Sequence, residues 1–127
     1  MSALILDAGA LVAVDRGDRM MVARLRAAQQ HGLELRSNAM VIAQVWCDPH
    51  ERQAGLARLL RAVDVRAIDQ QVGRDAGVLL DATDTGDPID ATVVLLAASG
   101  DRILTSDPAD LTRLARAAGR RAVIVTC

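Results

Sequence analysis

Five short apolar runs, "ALILD", "LELRS", "DVRAI", "RILTS" and "RAVIVT", recur along the chain, each separated from the next by a stretch with helical character. This alternation constrains the fold more than any other feature. A brief apolar run bounded by turn residues is how a strand buried on both faces reads. Strands that alternate with helices pair in parallel, because each crossover carries the chain back over the sheet and lays a helix on one of its faces. The expected architecture is α/β, with a central, mostly parallel sheet of about five strands flanked by helices on both faces.

The intervening segments carry their own start and stop signals. "ALVAVDRGDRMMVARLRAAQQHG" is predicted to be helical, broken near Gly17, with Met21, Val22, Leu25 and Ala28 on one stripe and Gly32 as the stop. "NAMVIAQVWCD" starts a helix at Asn38 and is predicted to turn Met40, Val41 and Ala43 to Val45 inward. "PHERQAGLARLLRAV" places Leu56, Leu59, Leu60 and Val63 on a single helical stripe. "DQQVGRDAGVLLDAT" reads as an amphipathic helix followed by a "DTG" turn. "DPIDATVVLLAASG" and "DPADLTRLARAAG" read as helices closed by Gly100 and Gly119. No repeat, linker or low-complexity tract interrupts the series, and 127 residues suit one domain spanning 1–127.

Composition removes whole classes of chemistry. Hydrophobic residues make up 51% of the chain. Even so, the longest apolar runs fall well short of the roughly 18 residues a membrane span needs. The opening "MSALILDAGALVAV" has no basic region and carries Asp7 within its apolar stretch, so it does not read as a signal peptide, and a soluble cytoplasmic protein is expected. All 15 basic residues are Arg, an absence of Lys that a GC-rich genome also produces. Without Lys there is no P-loop phosphate site and no Schiff-base chemistry, and a receiver-like signalling domain is disfavoured. One Trp, no Phe and no Tyr exclude an aromatic platform for single-stranded nucleic acid and leave Arg as the contact for phosphates and base faces. Cys47 and Cys127 lack C-x-x-C spacing and read as reduced thiols. His31 and His50 have no ligand partner at zinc-site spacing and read as surface residues. No G-x-G-x-x-G follows the first strand, no nucleophile elbow is present, and Gly9 stands where a haloacid-type phosphatase needs its second Asp.

Carboxylates remain. All three prolines follow Asp, in "DPHE", "DPID" and "DPAD". This is a recurrent helix-start device, with Asp48, Asp87 and Asp107 as N-cap candidates and Glu51, Asp90 and Asp110 at the third helical position. Two placements go beyond capping. Asp7 ends the first strand and Asp107 follows "RILTS", so both fall at carboxyl ends of strands, where open α/β sheets bind ligands. Asp90 starts the helix that precedes the Asp107 strand. Asp7 is the hardest of these to explain as a cap, since "DAGAL" offers no acid at the third position. Carboxylates that converge repel one another, and a hard divalent cation with oxygen ligands resolves the repulsion. Mg²⁺ fits this role, with Mn²⁺ as a substitute, and the implied reaction is phosphodiester hydrolysis.

Here the chain resembles the PIN-domain ribonucleases, and among them the toxins of VapBC-type toxin–antitoxin pairs. The likeness rests on "ILDAGALVA", "DATVVLLA" and "RILTSDPADL", in the family's order and spacing over nearly the full length. It implies a PIN-like fold and a metal-dependent endoribonuclease. Asp7, Asp90 and Asp107 would be the catalytic and metal-binding acids, with Asp87 as an auxiliary metal ligand. It further implies an RNA substrate held by Arg residues, a homodimer, and a cognate small antitoxin; Leu56, Leu59 and Leu60 either supply a contact surface for it or are a plain core stripe. There is one departure: where the family usually has Glu on the helix after strand two, this chain has Gln44. Gln keeps a carbonyl oxygen but removes one negative charge and one base. Two readings of Gln44 follow, an assistant at a weakened metal site or a core-facing, hydrogen-bonded residue with no catalytic part. The alternative for the whole chain is a PIN-like module that binds RNA or antitoxin without efficient cleavage. Thr105 and Ser106 either orient a carboxylate or water, or cap the local backbone.

Overall fold

The computed structural model describes residues 2–47, 50, 53–84 and 86–127. Its strands β1 (Ala3–Leu6), β2 (Glu34–Asn38), β3 (Val63–Arg66), β4 (Arg102–Thr105) and β5 (Val123–Thr126) form one sheet in the order β3-β2-β1-β4-β5. Every neighbouring pair is parallel. The α/β class read from the sequence is the one observed. Helices α1 (Ala8–Asp15) and α2 (Arg19–Gln30) link β1 to β2, and α3 (Ala39–Val45) and α4 (Ala54–Arg61) link β2 to β3. Helices α5 (Gln70–Thr83) and α6 (Pro88–Leu95) return the chain to β4, and α7 (Pro108–Ala117) leads to β5.

Strand order decides which face each helix covers. From β1 the chain steps to β2 and β3 on one side, then crosses back to β4 and continues to β5 in the opposite direction. Right-handed crossovers therefore put the helices before β3 on one face and those after it on the other. The packing agrees: α1 lies against α2, α3 and α4, whereas α5, α6 and α7 pack on one another. Between these layers Ile5, Leu6, Leu35, Ile103 and Leu104 are almost wholly buried.

Several boundaries differ from the sequence reading for identifiable reasons. The break near Gly17 is present: Gly17 takes φ +78°, and the Asp18 side chain caps α2 by accepting from the Met20 and Met21 N–H groups. Helix α3 is only two turns long, and its buried positions are Val41 and Val45, an i, i+4 pair. Met40, Ala43 and Gln44 face outward, contrary to the expected inward stripe, and the core-facing reading of Gln44 fails with it. Trp46 takes an extended backbone and ends the helix. Asp48 and Glu51 of "DPHE", like Thr85 of the "DTG" turn, lie outside the described residues. Helix α4 starts after Gln53, whose buried amide accepts from Cys47 N and donates to the Val45 carbonyl and to Asp15. Leu56 is fully buried, while Leu59 and Leu60 are half-buried against the core.

Helix α6 ends at Leu95 instead of running to Gly100. The cause is Asp101, a buried carboxylate whose Oδ2 accepts from Ala98 N at 2.8 Å and whose Oδ1 accepts from Ala3 N at 2.8 Å. One side chain thus unwinds the helix end and pins the start of β1. Replacing Asp101 with Ala strands two backbone donors, so urea unfolding of the variant is expected to show a loss of about 2 to 4 kcal/mol. A loss below about 0.5 kcal/mol would show that water serves these donors instead.

Candidate metal centre

The sheet order reverses between β1 and β4, which places a topological switch point at their carboxyl ends, the crevice where open α/β sheets bind ligands. Asp7 immediately follows β1, and Asp107 lies two residues beyond β4. Helix α6 brings Asp90 on its first turn, and α7 brings Asp110 on its own. Oxygen atoms of Asp90, Asp107 and Asp110 lie within 4.8 Å of one another. Asp90 is buried, Asp107 exposed and Asp110 between the two.

Each carboxylate has a distinct local state. Asp7 holds the N-cap position of α1, where its Oδ1 accepts from the adjoining Ala8 N at 2.8 Å. Its Oδ2 accepts from the Thr105 hydroxyl at 2.7 Å. The same hydroxyl accepts from Asp107 N at 2.9 Å, so Thr105 ties the end of β1 to the start of α7. Asp87 caps α6 by accepting from Ile89 N and Asp90 N at 2.9 and 3.3 Å. Asp107 stands at the corresponding position of α7, yet its side chain makes no cap hydrogen bond. Its carboxylate is turned to the acid cluster, and the expected capping role is absent.

The electrostatics are those of crowded acids. Burial raises the Asp90 carboxyl to about 7, and the charges of Asp87, Asp7, Asp107 and Asp110 push the same way. Asp107 is raised by local desolvation, then by Asp110 and Asp7. Among the described residues no ion pair reaches Asp7, Asp90, Asp107 or Asp110. A compact set of oxygen donors with no cation of its own fits a hard divalent ion such as Mg²⁺ or Mn²⁺.

The sequence-derived acids thus separate into groups. Asp90 and Asp107 share the cluster, and Asp7 stands close enough for its charge to reach both. Asp87 has its carboxylate engaged in capping and is not in the cluster. Gln44 is exposed on α3. Asp110, read from the sequence only as a capping acid, is the third oxygen donor. Its signal was the i, i+3 spacing from Asp107, which a cap and a ligand pair share. Thr105 is fully buried and bonds the Asp7 carboxylate and the Asp107 backbone N–H at once. Among the described residues no histidine or cysteine joins a metal-type cluster, and both cysteines are unpaired.

No protein-family model matches the chain, and no curated protein matches it. Among solved structures the chain is similar to VapBC2 from Rickettsia felis bound to a DNA fragment from their promoter. The identity is 11%, 98% of each chain is covered, and the TM-score is 0.71. At that identity the likeness is one of fold, and it agrees with the PIN-like architecture expected from the sequence.

Two measurements probe the site without turnover. The raised Asp90 group destabilises the ion-free protein once it ionises: the penalty is absent below the ordinary value of 3.8, grows through the interval up to about 7 and is complete above it. With solvent screening allowed for, Asp90→Asn is expected to stabilise the ion-free protein by about 1 to 2 kcal/mol at high pH and by nothing in acid. Thermal unfolding across pH reads this, and an equal effect at both extremes would contradict it. Thr105→Val removes the group that orients Asp7, and Mn²⁺ affinity by calorimetry is expected to fall about 10- to 100-fold. Unchanged affinity would make Thr105 a backbone cap only.

Proposed function

We propose that this chain is a metal-dependent endoribonuclease that hydrolyses RNA phosphodiesters, the toxin of a type II toxin–antitoxin pair. The observation that carries this reading is the meeting of Asp90, Asp107 and Asp110 oxygens beside Asp7 at the sheet's switch point. In this reading Asp90, Asp107 and Asp110 hold Mg²⁺ or Mn²⁺, and Asp7, oriented by Thr105, completes the acidic wall. The ion supplies positive charge against the phosphate and lowers the pKa of a water. Asp87 sets the first turn of α6 and so the position of Asp90, and Gln44 leaves the site one negative charge poorer than the family pattern.

Support for a partner comes from two sides. The chain resembles VapBC toxins in its motifs, and its fold matches a structure described as VapBC2 on promoter DNA. We extend to this chain a cognate small antitoxin, a homodimer and a cytoplasmic location. Among the described residues no helix is long and apolar enough to cross a membrane. Of the leucines considered as a contact surface, Leu56 is buried in the core, whereas Leu59 lines a groove of about 700 Å³ between α2 and α4 and stays available to an antitoxin.

The test is cleavage of a pool of single-stranded and structured RNA with Mg²⁺ or Mn²⁺ against EDTA, comparing the natural chain with Asp7→Asn, Asp90→Asn and Gln44→Glu. Cleavage that needs the ion and drops at least about 100-fold in both Asp variants is the expected result. No cleavage by the natural chain but clear cleavage by Gln44→Glu would identify a PIN-like binding module. Cleavage that persists in EDTA would sink the metal reading.

A further inference from the structure

A second recess of about 360 Å³ opens between α2 and the β4–β5 side of the sheet. Leu4, Leu104 and Val125 are among its apolar lining residues, and Arg24, His31 and Arg102 supply its charge-bearing groups. Among the described residues no carboxylate lines it. Arg102 lies beside Leu4 in the β1–β4 register. The His31 Nδ1 donates to the Ala27 carbonyl at 2.7 Å, which fixes the ring on the end of α2. Arg24 and His31 stand seven residues apart on or next to α2, about 10 Å along the axis, so the cationic groups are strung along the recess.

From one end of this recess a short chain of contacts leads toward Asp7. Arg24 Nη1 reaches the Thr126 carbonyl at 3.5 Å. The next residue, Cys127, packs against Gly9, where an added Cβ would stand 3.1 Å from its sulfur. The Cys127 thiol feels the charges of both Arg24 and Asp7. Arg24 and Asp7 thus stand on either side of Cys127.

We propose that this recess is the subsite for single-stranded RNA next to the bond being cut. Arg24 takes the phosphate beside the acidic centre, Arg102 and His31 take the backbone farther along, and the apolar floor receives ribose or base. This rests on the ribonuclease reading and goes beyond it by naming the cationic residues that grip the substrate. A chain of net charge -1 binds a polyanion only by concentrating its positive charge locally. Arg suits that task, since its planar fork binds phosphate through paired hydrogen bonds. The volume lies at the small end of ligand-sized clefts, suited to a nucleotide unit more than to a protein helix.

The experiment measures binding of a fluorescent single-stranded RNA by anisotropy across a salt series, in an Asp90→Asn background that blocks cleavage. Arg24→Ala and Arg102→Ala are each expected to weaken binding about 10-fold and to lower the salt slope by about one. Arg74→Ala, on the exposed face of α5, should change neither. In the natural background Arg102→Ala should raise KM and spare kcat. Arg24→Lys, which keeps the charge, should recover part of the binding and separates phosphate contact from damage to the fold. If the natural chain cleaves RNA but Arg24→Ala and Arg102→Ala bind as tightly as their parent, the subsite assignment fails and the ribonuclease reading stands. If the parent binds no RNA and the natural chain cuts none, both fail. Polyglutamate of matched charge competing as well as RNA would reassign the recess to an acidic protein segment.

Discussion

Mutual repulsion among Asp7, Asp90, Asp107 and Asp110 is the constraint to which this fold answers. Burial first, and then the neighbouring charges, raise Asp90 to about 7, so these carboxylates do not stay together by their own interactions. They are held by elements anchored elsewhere. Asp7 follows a strand whose Ile5 and Leu6 are fully buried, and Asp90 is followed on α6 by Ala91, Val93 and Val94, all sealed from water. Leu111 and Leu114 anchor α7 in the same way. The apolar core thus offsets an electrostatic cost that is local to one end of the sheet.

Helix capping is the means by which this anchoring reaches the acids. Asp87 satisfies the first turn of α6, and Pro88 presets its backbone, so Asp90 leaves the helix at a defined angle. At α7 the same Asp-Pro start serves differently: the Thr105 hydroxyl accepts the Asp107 N–H, and the Asp107 carboxylate makes no cap bond. Thr105 in turn donates to Asp7. A single buried hydroxyl therefore couples the ends of two neighbouring strands across the switch point. Two identical dipeptides reach different roles because one has a strand-end hydroxyl two residues before it and the other follows a turn.

Much of this was legible in the residues. Alternating strand and helix patterns, with right-handed crossovers, were sufficient for a parallel sheet covered on both faces. Asp7 and Asp107 could be placed at strand ends because the apolar runs "ALIL" and "RILT" stop at recognisable points. What remained hidden was set by contacts distant in sequence. Asp101 reads as an ordinary turn residue, and only the approach of β1 turns it into the buried acceptor that shortens α6. Asp110 reads as a dipole-favoured acid of a first turn, and only the position of Asp90 makes it part of an oxygen cluster. The outward turn of Gln44 was equally hidden, since a short helix with one buried side shows no periodicity that settles which positions face in.

Gln44 then acquires a different weight. A missing carboxylate weakens a metal site when the remaining acids are too few or too dispersed to neutralise the ion. Here three acids already place oxygens within 4.8 Å, and a fourth adds its charge from the end of β1. The oxygen cluster is thus carried by α6 and α7, through Asp90 on the first turn of the one and through Asp107 at the N-cap and Asp110 on the first turn of the other.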